Sequence, residues 1–214
     1  MPLKTGTMTW RTFRIEEGSD CSSLNREQIL EGLEKEAFRD PDVDAGEVES
    51  EGFVVFDELL NTEFKEASEQ TFVGAYVMTT FRKDRLRVPA AYFKALVEAE
   101  LTNIKARTGS DTVGRAQKNA VREEIERMLL KRALPAIQKA EIVWSLQDNT
   151  VRIFAGSAGL VEAACEAFET AFESKLLPRE AFTHLLESGW TEEQVEKSPM
   201  PAAYYLPALM DKAV

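Results

Sequence analysis

The chain has 214 residues, of which 44% are hydrophobic, enough to bury a core and too many for a disordered polymer. Its formal net charge is −11, from 26 lysines and arginines against 37 aspartates and glutamates. No apolar run reaches the ~18 residues of a membrane span, and the N-terminus shows no secretory signal pattern. Two cysteines and one histidine provide neither a disulfide scaffold nor an ordinary zinc site. We therefore expect a cytoplasmic globular protein without a cofactor or a membrane partner.

The first half of the chain predicts an α+β layer. Three alternating or β-branched segments predict strands: Met8–Ile15, Phe53–Phe56 and Thr71–Phe81. Apolar residues at helical spacing predict a helix over Asn25–Phe38, with Ser22 or Ser23 as its N-cap. The four charged residues Arg82–Arg85 predict a turn, followed by a short strand at Leu86–Val88. The order β-α-β-β favours antiparallel sheets with packed helices over a parallel sheet.

The second half predicts two helices, a β-hairpin and a third helix. Pro89 suits the first turn of a helix that runs to about Lys105, and a second helix covers Gly114–Leu134. The later elements are a hairpin of Glu141–Gln147 and Thr150–Ala155, a helix over Ala158–Phe172 capped by Ser157, and three short helical pieces after Pro178. We divide the chain into an N-terminal α+β region (1–88), a helix-helix-hairpin-helix region with a basic face (89–177) and a short helical tail (178–214).

The basic residues are concentrated in one segment of this acidic chain. Between Arg82 and Lys139 there are 14 basic and 7 acidic residues, a balance of +7, so the remainder carries −18. Cations repeated along one surface are typical of proteins that bind a phosphate backbone rather than base edges. Between Lys105 and Lys139 no aromatic residue is interleaved for base stacking, which favours duplex over single-stranded nucleic acid. Taken alone, the pattern fits equally well a solvated helix face that is balanced by neighbouring glutamates.

Patterns for catalysis or metal binding are weak. The single histidine, His184, has no partner that the sequence identifies, and both cysteines, Cys21 and Cys165, are expected to be inert. The loop Gly156–Gly159 fits neither a dinucleotide-binding motif nor a P-loop. One helix carries a group of carboxylates that could hold the Mg²⁺ of a nuclease, although arginines four residues away predict surface ion pairs instead. These carboxylates belong to Glu123, Glu124 and Glu126.

Several short motifs of the basic segment occur in a fixed order. They are Val88-Pro89-Ala90-Ala91, Ile104-Lys105-Ala106-Arg107-Thr108-Gly109, Val113-Gly114-Arg115 with Lys118, the run Leu130–Pro135, and Trp144 in the hairpin. Over about Trp10–Leu177, this order resembles the recombination-associated protein RdgC family. The resemblance implies double-stranded DNA binding with little sequence preference, a nucleoid-associated role in modulating RecA-dependent recombination, and ring-shaped homodimers that encircle DNA.

The resemblance also implies which residues contact phosphate. Matching the family motifs by position gives Lys105, Arg107, Arg115 and Lys118, and charge and spacing alone add Arg122, Lys131 and Arg132. Typical members continue past the equivalent of Leu177 into a segment that helps to close the ring. Only a short tail follows here, which leaves ring closure open.

Two other functions stay open at this point. The first is a protein-interaction module that keeps the fold and binds an acidic or helical partner through the same face. The second is a metal-dependent nuclease that uses Glu123, Glu124 or Glu126. The DNA-binding hypothesis itself depends on the fourteen cations of the basic segment forming one continuous electropositive face.

Overall fold

A computed structural model of the chain describes residues 9–16, 24–179, 189 and 191. The chain comprises two compact units, residues 1–177 and 178–214, and the account below concerns the first. Among the described residues, no helix is both long and apolar enough to cross a membrane. The predicted tail helices, Cys21 and His184 lie outside the described residues.

In the part that the structure describes, seven strands and five helices give an α+β fold, as predicted. The strands are β1 (Trp10–Ile15), β2 (Glu49–Val55), β3 (Phe72–Val73), β4 (Tyr76–Arg85), β5 (Ala136–Ser145), β6 (Thr150–Phe154) and β7 (Leu176–Pro178). The helices are α1 (Arg26–Lys35), α2 (Ser68–Thr71), α3 (Ala90–Thr108), α4 (Arg115–Leu130) and α5 (Ala158–Phe172).

The strands form one sheet in the order β2-β4-β5-β6-β1-β7, with β3 paired to the start of β4. The longest ladder is antiparallel and joins β4 to β5, from Tyr76 opposite Ser145 to Arg85 opposite Ala136. The ladders β2–β4, β5–β6 and β1–β6 are antiparallel as well. Strands that precede residue 88 and strands that follow it therefore belong to the same sheet.

The main hydrophobic core lies between one face of this sheet and the helices α1 and α5. Trp144 of β5 is almost fully buried and packs edge-on against Phe168 of α5, with ring centroids 5.4 Å apart. Alternate residues of the strands supply the sheet's share of this core, because successive side chains of a strand point to opposite faces. The polar residues Arg82 and Asp84 point to the other face and are buried there.

Helices α3 and α4 pack against each other around a second, smaller core. Its buried members are Val97, Ile104, Val113, Val121 and Ile125. We call α3, residues 109–114 and α4 together the helical hairpin. In the chain this hairpin connects β4 to β5, at the end of their ladder where Arg85 faces Ala136.

The predicted charged turn at Arg82–Arg85 is wrong, because these residues continue β4. They pair with β2 on one side and with β5 on the other, so their backbone groups are bonded within the sheet. Two of their charges neutralise each other in the interior, where Arg82 Nε donates to Asp84 Oδ1 at 2.9 Å. The predicted strand at Leu86–Val88 does not form either, and this stretch leads directly into α3.

The ends of two helices also differ from the prediction. Helix α1 is capped by Asn25 rather than by Ser22 or Ser23, and Asn25 and Gln28 exchange backbone-to-side-chain hydrogen bonds of 3.0 and 2.9 Å in a capping box. The helix ends at Lys35 because Phe38 N–H donates to Phe53 O at 2.9 Å, which places this stretch along β2. Helix α4 ends at Leu130, four residues earlier than predicted.

Candidate nucleic-acid interface

The helical hairpin carries most of the predicted contact residues. Helix α3 ends at Thr108 and is capped by Gly109, whose φ of +66° places it in the left-handed region; Gly109 N–H donates to Lys105 O at 2.9 Å. Helix α4 begins after Gly114, with no side-chain cap and no acidic residue in its first turn. All seven predicted residues are exposed, namely Lys105, Arg107, Arg115, Lys118, Arg122, Lys131 and Arg132.

The fold brings together Lys105 of α3 and Lys118 of α4, which are thirteen positions apart in the sequence. Both line one groove of about 460 Å³ at the junction of the two helices. The other lining residues are Glu98, Leu101, Thr102, Asp111, Thr112 and Val113. Two lysines and two carboxylates therefore share this groove, and its floor includes apolar side chains of the small core.

Along α4, the exposed cations Arg115, Lys118 and Arg122 lie three and four residues apart. Because an α-helix turns about 100° and rises about 1.5 Å per residue, the three side chains fall on one side over about 10 Å. Two apolar residues of the same helix, Val121 and Ile125, are buried against α3. The stripe of cations therefore follows the exposed side of α4 and reaches the groove at Lys118.

Arg107 and Lys131 lie apart from this stripe. Arg107 comes two residues after Lys105, so the two side chains leave α3 about 200° apart. Its guanidinium is 3.6 Å from a carboxylate oxygen of Glu100. Lys131 lies just beyond the other end of α4, where its ammonium is 2.6 Å from a carboxylate oxygen of Asp44. Each of these two predicted contacts therefore already has a carboxylate partner.

Half of the fourteen cations in the basic segment are paired in this way within 4.0 Å. The pairs are Arg82–Asp84, Lys83–Glu51, Arg85–Glu49, Lys94–Glu98, Arg107–Glu100, Lys131–Asp44 and Lys139–Glu141. Within the described part of the chain, the other seven have no ion pair: Arg87, Lys105, Arg115, Lys118, Arg122, Arg127 and Arg132. The expectation that all fourteen form one electropositive face is therefore wrong, because carboxylates neutralise half of them, and a DNA-binding hypothesis can depend only on the other seven. The uncompensated cations lie mainly on the helical hairpin.

The carboxylates Glu123, Glu124 and Glu126 are exposed on α4. The ion pairs predicted between Glu123 and Arg127 and between Arg122 and Glu126 do not form within 4.0 Å in this fully described helix. Across the described ranges of the chain, no three His, Cys, Asp or Glu side chains lie close enough together to hold a metal ion. Successive glutamates at 123 and 124 point about 100° apart, which separates their carboxylates.

Cys165 of α5 is half-buried, as expected for a packing residue. Burial and the nearby carboxylate of Glu169 raise the pKa of its thiol to about 12. The side chain therefore stays protonated at neutral pH, where a thiolate would be needed for nucleophilic chemistry.

Comparison with known proteins supports the resemblance drawn from the short motifs. Residues 9–192 match the model of a protein family described as "Putative exonuclease, RdgC". The match covers most of the chain and extends past Leu177, where the resemblance by motif ended. No curated protein matches the chain.

Proposed function

The chain belongs to the RdgC family, and on that premise we propose that it binds double-stranded DNA through the phosphate backbone, with little preference for base sequence. In this proposal the protein is a non-enzymatic, nucleoid-associated component of the cytoplasm that modulates recombination. The observation that carries the proposal is the set of uncompensated cations on the helical hairpin. A cation without a carboxylate partner can neutralise a phosphate without first losing an interaction within the protein.

We assign the phosphate contacts to the predicted residues that have no ion pair in the described part of the chain. They are Lys105, Arg115, Lys118, Arg122 and Arg132. Four of them lie on the half of the hairpin near the groove, where Lys105 and Lys118 would bind neighbouring backbone oxygens. Positive side chains at intervals along about 10 Å of α4 suit a repeating phosphate chain, which carries no base information.

Family resemblance further supports a homodimer as the acting species. Light scattering of the free protein and of its complex with a short duplex measures the number of copies in each state.

The test compares two variants that each remove three positive charges. In the variant R115Q/K118Q/R122Q the charges removed are uncompensated, whereas in K83Q/R85Q/K94Q each removed charge has a carboxylate partner. Each phosphate contact contributes about 0.9 to the magnitude of the slope of log Kobs, the observed binding constant, against log salt concentration. The slope of R115Q/K118Q/R122Q should therefore be smaller in magnitude by about 2.7. At 0.1 M salt this corresponds to ~500-fold weaker binding, alike for unrelated duplex sequences.

The matched control should keep a slope close to that of the natural protein, because paired cations release few counterions. Equal losses in the two variants would contradict the assignment to α4, and an unchanged affinity of R115Q/K118Q/R122Q would contradict it decisively. If the natural protein fails to shift random duplex at low salt, the protein-interaction alternative is favoured instead.

The description of the family as an exonuclease keeps DNA hydrolysis as a second candidate. Hydrolysis with metal ions needs carboxylates that position one or two divalent cations. Incubation of end-labelled duplex with Mg²⁺ or Mn²⁺ tests this, with E123Q/E124Q/E126Q as the control. Degradation that this variant abolishes would establish the nuclease, and the absence of products with either metal would remove it.

A further inference from the structure

An ion pair between Lys131 and Asp44 joins two distant parts of the chain. It lies at the end of the helical hairpin where α4 finishes at Leu130, which we call the root of the hairpin. The Lys131 ammonium lies 2.6 Å from Asp44 Oδ1 and 2.9 Å from Asp44 Oδ2, so both carboxylate oxygens face the same lysine. Asp44 precedes Lys131 by 87 positions in the sequence. It belongs to the loop 40–47, which lies between α1 and β2. The main body of the fold thus places a carboxylate on a cation that DNA phosphate would otherwise bind.

The loop that carries Asp44 is ordered by its own hydrogen bonds. Arg39 donates to both carboxylate oxygens of Glu47, at 2.7 and 3.0 Å, and Glu47 also accepts from Asp42 N–H at 3.0 Å. The Asp42 carboxylate in turn accepts from Asp44 N–H at 3.0 Å and from Ala45 N–H at 3.2 Å. These bonds fix the backbone on both sides of Asp44, so its position against Lys131 is set by the loop.

A second cation of α4 also acts on this carboxylate. Asp44 has a lowered pKa, chiefly because Lys131 donates a hydrogen bond to it, with a smaller contribution from the charge of Arg127. Arg127 lies one helical turn before Lys131 on α4. The carboxylate therefore reduces the positive potential of the root as a whole rather than that of one side chain.

We propose that Asp44 competes with DNA phosphate for Lys131 and so weakens the DNA-binding surface at the root of the hairpin, where Arg132 remains as an assigned contact, relative to the end near Lys105, Arg115 and Lys118. The inference rests on the proposed function and concerns the regulation of that same surface. Both carboxylate oxygens of Asp44 face the Lys131 ammonium, so a phosphate that approaches this lysine meets the repulsion of a neighbouring negative charge as well as the attraction of the cation. Because α4 rises about 1.5 Å per residue, the root lies about 24 Å from Arg115. A phosphate bound at Arg115 therefore cannot also contact Lys131.

The experiment measures duplex binding by D44N against D40N. Both changes remove one negative charge from an exposed site in the same loop, but only Asp44 contacts Lys131. With Lys131 released, D44N should gain one phosphate contact, which raises the salt slope by about 0.9 and the affinity about eightfold at 0.1 M salt. For D40N we expect less than a twofold gain and an unchanged slope. Circular dichroism confirms that both variants are folded.

A double-mutant cycle with K131Q isolates the contact. In the K131Q background, D44N should strengthen binding far less than it does in the natural background, because no lysine is left to release and only the weaker effect on Arg127 remains. Equal gains from D44N and D40N in the natural background would overturn the inference while leaving the proposed function intact. So would a full D44N gain in the K131Q background. If neither the natural protein nor any variant binds duplex, the proposed function itself fails, and the inference fails with it.

Discussion

Replacement of Arg82 by methionine should lower the free energy of unfolding by about 3–5 kcal/mol, because it leaves a buried carboxylate without its counter-ion. Arg82 is 4% exposed and Asp84 is 0% exposed. Two hydrogen bonds join them, from Nε at 2.9 Å and from Nη2 at 2.5 Å, in the paired geometry that guanidinium and carboxylate favour. Methionine keeps much of the aliphatic volume of arginine, so the change removes mainly the charge and its hydrogen bonds.

Two further contacts of the Arg82 guanidinium are lost in R82M and are included in the expected loss of stability. Arg82 Nη1 donates to Leu59 O at 2.8 Å, which fastens the loop after β2 to the sheet. The guanidinium carbon also lies 4.0 Å from the centre of the Phe38 ring. A hydrogen bond from a charged donor is worth about 1.5–3 kcal/mol and a desolvated cation–π contact about 2, but contributions that share one side chain do not add.

Denaturation by urea, followed by circular dichroism and fitted with a common slope, measures the loss. The double variant R82M/D84L serves as the control, because replacement of a whole buried ion pair by apolar residues is often neutral, and it should recover most of the lost stability. A loss below about 1 kcal/mol for R82M would refute the reasoning that Asp84 depends on this partner. A double variant no more stable than R82M would do the same.

Three further predictions follow from single contacts. G52A should destabilise the fold by about 1–3 kcal/mol, since an added Cβ would meet backbone atoms of Phe38 at 2.5 and 2.6 Å; an unchanged thermal midpoint would contradict this. Arg39 lowers the pKa of Glu47 to about 2 from 4.5, so its stabilisation is full above pH ~4.5 and is lost as the pH falls towards 2. E47Q should remove that part of the acid dependence of unfolding, and an identical pH profile would count against it. Cys165, with its pKa of about 12, should react with a thiol reagent at pH 8 far more slowly in the native than in the unfolded protein, and equal rates would exclude the assigned burial.

Local sequence patterns predicted the elements whose stability is set by their own apolar spacing. Helix α5 was predicted over Ala158–Phe172 and is found with these bounds, since its buried side chains recur at helical intervals. The end of β4 could not be predicted in this way, because the charged sequence of Arg82–Arg85 is typical of a turn. Only pairing with β2 and β5 makes it a strand, and these partners lie about thirty and fifty positions away.

For the candidate interface, too, some features could be predicted from the sequence and others depend on the fold. The number of cations and their spacing along α4 follow from the sequence, and α4 does present Arg115, Lys118 and Arg122 on one exposed side. Three of the seven ion pairs described above for the basic segment join residues that are far apart in the sequence, so no local pattern predicts them. Lys83 of β4 forms an ion pair with Glu51 of the neighbouring strand β2, and Lys131 forms one with Asp44, which lies 87 positions earlier in a loop. Charge counts along the chain therefore overestimated the basic surface by including cations that the fold pairs.

The net charge of −11 does not by itself oppose the binding of DNA. At an ionic strength of 0.1 M, charges in solvent are screened over about 10 Å, so a phosphate responds to its immediate surroundings. The groove end of the helical hairpin lies about 24 Å along α4 from the loop that carries Asp44, more than two screening lengths away. In the proposed function, the uncompensated cations at that end supply most of the phosphate contacts, while the acidic remainder of the chain repels DNA. Under the proposed function, this arrangement would direct DNA to one location, which an evenly basic surface would not do.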